Sequence, residues 1–276
     1  MKKILLAFDG IHFSEGAFEF VRRLNLLEPV MVTGAFLPQV DYANLWSYAE
    51  AANTVAGTSY VPLVEDEESE IIQKNIDHFI SLCQKNDIQY RVHKDVFDFA
   101  LPELRKETRF ADVLILSGEL FYRGVMDGHQ YDYLKQAVHN SECPVMIVPE
   151  QYAFPNNNIL AYDGTAESVF AIKQFAYIFP ELAKNSTLLV FAEELGKKFP
   201  SQEQITELVT RHYKDLSFYK LEMNARRYFS TWIRDREGAL LISGSFSRSG
   251  VSELFKQSFV ASIIKDHKVP VFIAHK

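Results

Sequence analysis

Cysteine is scarce in this chain. The two present, Cys83 and Cys143, lie far apart, with no CxxC pair. A disulfide framework is therefore excluded, and a reducing compartment, the cytoplasm, is the expectation. Long apolar runs are lacking too. No stretch approaches the ~18–20 uncharged apolar residues of a membrane helix. The opening MKKILLAFDG reaches Asp9 after Ile4–Phe8 and does not read as a signal peptide. Positive charge is not in excess either. The net charge of −7 argues against general nucleic-acid binding, which depends on neutralising phosphates. Histidines show no HxH, HxxxH or HExxH spacing, so no metal site is expected; His93, His129 and His139 read as surface or partly buried residues. GxSxG and Walker loops are missing as well, and with them the expectation of a catalytic residue.

What the chain does have is repetition. ILLAFDG (4–10) returns as ILAYDG (159–164), pairing Asp9 with Asp163, Gly10 with Gly164 and Ser14 with Ser168. ADVLILSG (111–118) returns as GALLISG (238–244), and CPVMIVP (143–149) as VPVFIAH (269–275). Gly118 to Pro144 and Gly244 to Pro270 are both 26 residues. Such a gap-free match over two strand-like runs marks an internal duplication. The offset between copies is 154 residues at Asp9/Asp163 and 126 at Gly118/Gly244, so the first copy carries 28 extra residues. The aromatic, weakly periodic segment 38–64 is the expected insertion. It reads either as a binding lid or as cover for core surface. EQYAFPNNN (150–158) reads as the join.

Short apolar runs alternate with amphipathic ones in each copy, which predicts βα units and a parallel sheet. Strands are expected near 3–8, 30–36, 89–93, 112–117 and 144–148, then near 158–162, 187–192, 217–222, 239–243 and 270–274. Helices are expected near 14–25, 66–86, 98–108, 130–140, 166–179, 201–213 and 252–266, with another in 224–235. Domains of 1–150 and 155–276 follow. The fold class is α/β, with two tandem doubly wound, Rossmann-like, five-stranded parallel-sheet domains. Ser14 and Ser168 read as helix N-caps, and Gly10 and Gly164 as turn residues. Glu65–Glu68 reads as the acidic start of a helix. Arg226, Arg227, Arg234 and Arg236, around Trp232, read as a solvated helix face.

The ordered set AFDG/AYDG, LILSG/LLISG and CPVMIVP/VPVFIAH resembles a tandem universal stress protein (two UspA-like domains, adenine nucleotide alpha hydrolase-like). GSFSRSGVSELF (244–255) is similar to that family's phosphate-loop segment. ATP-binding members share G-x-x-G-(nine residues)-G-(S/T), in which glycines let backbone N–H groups close on the phosphates. In the second copy Gly244 and Ser258 keep the ends of the pattern, Ser247 and Gln257 replace its glycines, and Arg248 and Gly250 stand nearby. In the first copy only Gly118 remains; Phe121, Tyr131 and Asp132 stand at the other places. The resemblance implies Asp163, Gly244, Arg248, Gly250 and Ser258 as nucleotide-binding candidates, with Asp9 and Gly118 weaker ones. Each aspartate also reads as a strand-end cap. The first site is expected to be closed to ATP and the second degraded, so no cofactor is expected, with ATP in the second domain as the alternative. The resemblance further implies a stress-response or regulatory module rather than an enzyme. It would form an intrachain pseudo-dimer through 144–148 and 270–274, and would be open to homodimerisation and to a protein partner. A small-ligand binder lidded by 38–64 is a third reading.

Overall fold

The computed structural model describes residues 1–38, 66–94, 100–121, 130–192, 199–221, 232–233, 236–244, 264, 266 and 268–275. In the first half, β1 (Lys2–Phe8), α1 (Glu15–Leu27), β2 (Val30–Phe36) and α2 (Asp66–Lys85) come in turn. They are followed by β3 (Gln89–Lys94), α3 (Ala100–Thr108), β4 (Val113–Ser117), α4 (Gln130–Asn140) and β5 (Val145–Val148). The second half runs β6 (Asn157–Tyr162), α5 (Ala166–Ile178), β7 (Ser186–Ala192), α6 (Gln202–His212), β8 (Leu216–Leu221), β9 (Ala239–Gly244) and β10 (Val271–Ala274). A 3-10 turn, Leu182–Lys184, precedes β7. The expected insertion beyond Pro38 and the helices expected at 224–235 and 252–266 fall almost wholly outside the described residues.

All ten strands form one sheet, in the order β3-β2-β1-β4-β5-β10-β9-β6-β7-β8. Pairing is parallel throughout, except between β5 and β10, where Val271, Phe272 and Ile273 run antiparallel to Ile147, Met146 and Val145. The two five-stranded halves are continuous across this pairing of 145–147 with 271–273. Its cause is visible in VMIV and VFIA, two short, wholly buried edges that satisfy each other's backbone groups.

Both faces of the sheet are covered, as parallel pairing requires. Along β1, Ile4, Leu6 and Phe8 enter one apolar layer while Leu5 and Ala7 enter the other. The first layer takes Phe20 and Val21 of α1, Phe79 of α2, Phe175 of α5 and Val209 of α6. The second takes Leu104 of α3 and Leu134 and Val138 of α4. Phe79 meets Phe8, Phe18 and Phe36 edge-on at 6.2, 6.2 and 6.0 Å, which fixes α2 over the first half.

Candidate functional site

Within each half the strand order reverses once, between β1 and β4 and between β6 and β9. At such switch points two neighbouring strands send their chains to opposite faces, leaving a crevice at the carboxyl ends. Ala7 pairs with Leu116, so Asp9 and Gly118 leave adjacent strands at the first crevice. Leu160 pairs with Ile242, which brings Asp163 and Gly244 to the second. Arg248, Gly250 and Ser258 lie outside the described residues.

In the first crevice Asp9 is 3% exposed. Its Oδ1 accepts the His12 amide at 2.7 Å, and its Oδ2 lies 2.6 Å from His12 Nδ1. Burial pushes its pKa above the ordinary carboxylate value, against the opposing pull of the His12 hydrogen bonds and charge. Asp9 therefore closes its own loop. That loop turns at Gly10, whose φ of +90° suits glycine.

The residue that organises this crevice is Glu150, at the mouth of β5. Its carboxylate accepts the Ser14 hydroxyl, the Ser117 hydroxyl at 2.7 Å and the Gly16 amide at 3.2 Å. Ser14 is the α1 N-cap, accepting the Ala17 amide at 3.0 Å. Ser117 Oγ in turn accepts the Glu119 and Leu120 amides at 3.2 and 3.0 Å. A side-chain anion thus sits on the positive end of α1, where a phosphate would otherwise be favoured. Gly16 makes the approach close enough: a Cβ there would lie 2.5 Å from the Pro149 carbonyl oxygen. Phe121 is 2% exposed and packs into the core, its ring 5.9 Å from that of Tyr133. Tyr131 and Asp132 fall in the first turn of α4.

The second crevice is built differently. Asp163 Oδ1 accepts the Thr165 amide at 2.9 Å and the Thr165 hydroxyl at 2.6 Å. Thr165, not Ser168, is the α5 N-cap; Ser168 is buried and donates back to the Thr165 carbonyl at 2.9 Å. The sequence motif TAES offers two capping hydroxyls, and the short loop held by Asp163 selects the first. Ser243, the counterpart of Ser117, donates to the carbonyl of Gly244 at 3.1 Å rather than to a carboxylate. Gly244 abuts the first turn of α5, where a Cβ would lie 2.7 Å from the Ser168 nitrogen. The residue matching Glu150 in the 126-residue register is Lys276, of opposite charge.

Elsewhere, His93 pairs with Glu107 at 2.8 Å, and Arg236 lies 4.0 Å over the Trp232 ring, which stacks on Tyr219. Among the described residues, no three metal-capable side chains cluster and no helix is long and apolar enough to cross a membrane.

This topology, with its two switch-point crevices, defines a doubly wound α/β protein with the fold of the universal stress proteins. Over all of this chain and 96% of its own, the crystal structure of a universal stress protein from Archaeoglobus fulgidus superposes with a TM-score of 0.68 at 15% identity. A Pseudomonas aeruginosa protein assigned to the same group covers all of this chain and 93% of its own, with a TM-score of 0.53 at 11% identity. At these identities the likeness is one of fold. No family model matches the chain, and no curated protein does.

Proposed function

We propose that the chain is a cytoplasmic, two-domain, universal-stress-like binding or regulatory module that acts without turnover, with domains of 1–150 and 155–276 joined through β5 and β10. The observation that supports it is the Glu150 carboxylate, which takes the Ser14, Gly16 and Ser117 donors in the first crevice. Phosphate oxygens would have to displace a like charge already bound to those donors. The first half therefore does not fit ATP. Titration calorimetry of the intact chain with ATP and ADP, with and without magnesium, is the test. The expected result is no saturable heat and no phosphate release. Two nucleotides bound per chain would overturn the proposal.

A second reading, nucleotide binding by the second domain alone, is favoured by one contrast. In the 126-residue register Lys276 aligns with Glu150, a basic residue in place of the carboxylate. Asp163, Gly244, Arg248, Gly250 and Ser258 would hold the nucleotide, the backbone N–H groups of the loop and the arginine facing its phosphates. One nucleotide per chain at micromolar affinity, lost on Ser258→Asp or Gly244→Val, would establish this reading over the first.

A further inference from the structure

The joint between the halves has a different chemistry at each end. In the antiparallel register of β5 and β10, Phe272 faces Met146 and Ile273 faces Val145. Two residues further on, the same register sets His275 opposite Cys143, and both line one cleft. In the 126-residue register His275 corresponds to Pro149, and Cys143 to Val269. The pseudo-two-fold mate of this end is therefore Pro149 with Val269, neither of which titrates. Histidine stands at one end of the seam only.

The surroundings of His275 suit the neutral imidazole and not the cation. Its Nδ1 is enclosed, with no hydrogen-bond partner among the described residues. A neutral ring leaves only an idle lone pair there. A protonated ring would put a charged N–H in the same place without an acceptor, which costs far more. Around it, the cleft is lined by Met1 with its amino terminus, Lys2, Asp112, Glu142, Cys143 and Tyr177. Both acids are already engaged. Glu142 is held by Arg105 and Arg109 at 3.2 and 2.7 Å, and Asp112 Oδ2 accepts the Lys3 amide at 2.8 Å. Lys2 is paired with Glu28, and His139, in the last turn of α4, opposes a second positive charge. Burial pushes the His275 pKa below the ordinary histidine value, against the pull of the Ser141 backbone and reinforced by His139.

We propose that His275 is an acid-sensitive latch on the joint between the two halves. Neutral, the ring closes the end of the β5–β10 seam beside Cys143. Protonated, it leaves its enclosure for water, and the neighbouring pairs Ile273–Val145 and Phe272–Met146 open with it. Mild acid thus loosens the hold of one half on the other from this end, while the Pro149 and Val269 end stays shut. A histidine held below its ordinary value stabilises the closed seam above pH ~6.5, and that contribution is lost as the pH falls towards the folded-state value. Glu142, held down at about 2, responds only in stronger acid, so the two effects separate.

The test is amide hydrogen exchange on the intact chain at pH 7.5 and 5.0, with protection factors corrected for the intrinsic pH dependence of exchange. Protection at 145–147 and 271–273 should fall between threefold and about thirtyfold on acidification, the ceiling being set by ~1.5 pH units below the ordinary histidine value. The Leu5 and Leu6 amides of β1 should keep theirs within twofold. His275→Asn, which keeps an acceptor near Nδ1 but takes no proton, should hold the seam within twofold at both pH values. His139→Gln should retain the fall. A seam indifferent to pH in the parent, an equal fall in His275→Asn, or an equal fall at Leu5 and Leu6 would overturn the proposal. If His275→Asn does not fold, NMR titration of the parent's His275 ring decides: a midpoint below ~6.5 supports the latch, and one at or above it overturns it.

Discussion

Removal of the Glu150 carboxylate is the sharpest perturbation the structure offers. In Glu150→Ala, the Ser14 and Ser117 hydroxyls and the Gly16 amide lose an ionised acceptor at the start of α1. Hydrogen bonds to a charged group contribute ~1.5–3 kcal/mol each, but the crevice is only half-buried, so water takes up part of the loss. A net destabilisation of about 1.5–3 kcal/mol is expected. At ~2–4 °C per kcal/mol for a large chain, Tm should fall by roughly 3–12 °C in a thermal melt. Glu150→Gln keeps one acceptor oxygen and loses the charge on the helix end, worth ~0.3–1 kcal/mol, so its loss should be under half as large. Added sulfate at constant ionic strength should raise the Tm of Glu150→Ala by more than that of the parent, because the variant adds vacated donors at that helix end to sulfate's general stabilising effect. Equal Tm values for parent and Glu150→Ala, or an equal sulfate response in both, would refute the assignment of Glu150 as the occupant of the first crevice.

Three further outcomes follow from particular contacts. Gly16→Ala places a Cβ 2.5 Å from a backbone carbonyl oxygen; overpacking at ~1–3 kcal/mol should exceed the ~1 kcal/mol gain in helix propensity, giving a lower urea midpoint. Arg109 and Arg105 hold Glu142 down at about 2, so this pair's stabilisation is complete above ~4.5 and disappears as the pH falls towards 2. Glu142→Gln should flatten that part of the pH–stability curve, and an unchanged acid limb would contradict the pairing. Burial pushes the thiols of Cys83 and Cys143 up to about 12 and 11. Both should therefore resist a thiol reagent at pH 8 in the folded chain and react on denaturation, and native-state labelling would disprove their enclosure.

Most strand and helix positions were legible because parallel strands buried on both faces appear as unbroken apolar runs. VMVTGAF, expected over 30–36, spans those residues, and QYDYLKQAVHN, expected over 130–140, does likewise. The α5 cap was misplaced because two hydroxyl residues three positions apart satisfy the same local pattern. Only the bonds from Thr165 to Asp163 decide between them. Glu150 escaped notice for a different reason. It falls in a segment that reads as a linker, and Gly16, one of its partners, is 134 positions away. A signal for it did exist in the repeat: aligned on the closing strands, the two copies place glutamate against lysine.

Joining the halves through β5 and β10 consumes the inner rim of each. The described sheet can therefore lengthen only outward, at β3 or at β8. The two rims are unlike. β3 carries Arg91 and Lys94, whose charges discourage an approaching strand, whereas β8 presents Phe218 and Tyr219, at 43% and 41% exposure. Growth by strand addition would accordingly be one-sided and would stop after a single pairing of like rims, giving a closed pair of chains rather than a fibre.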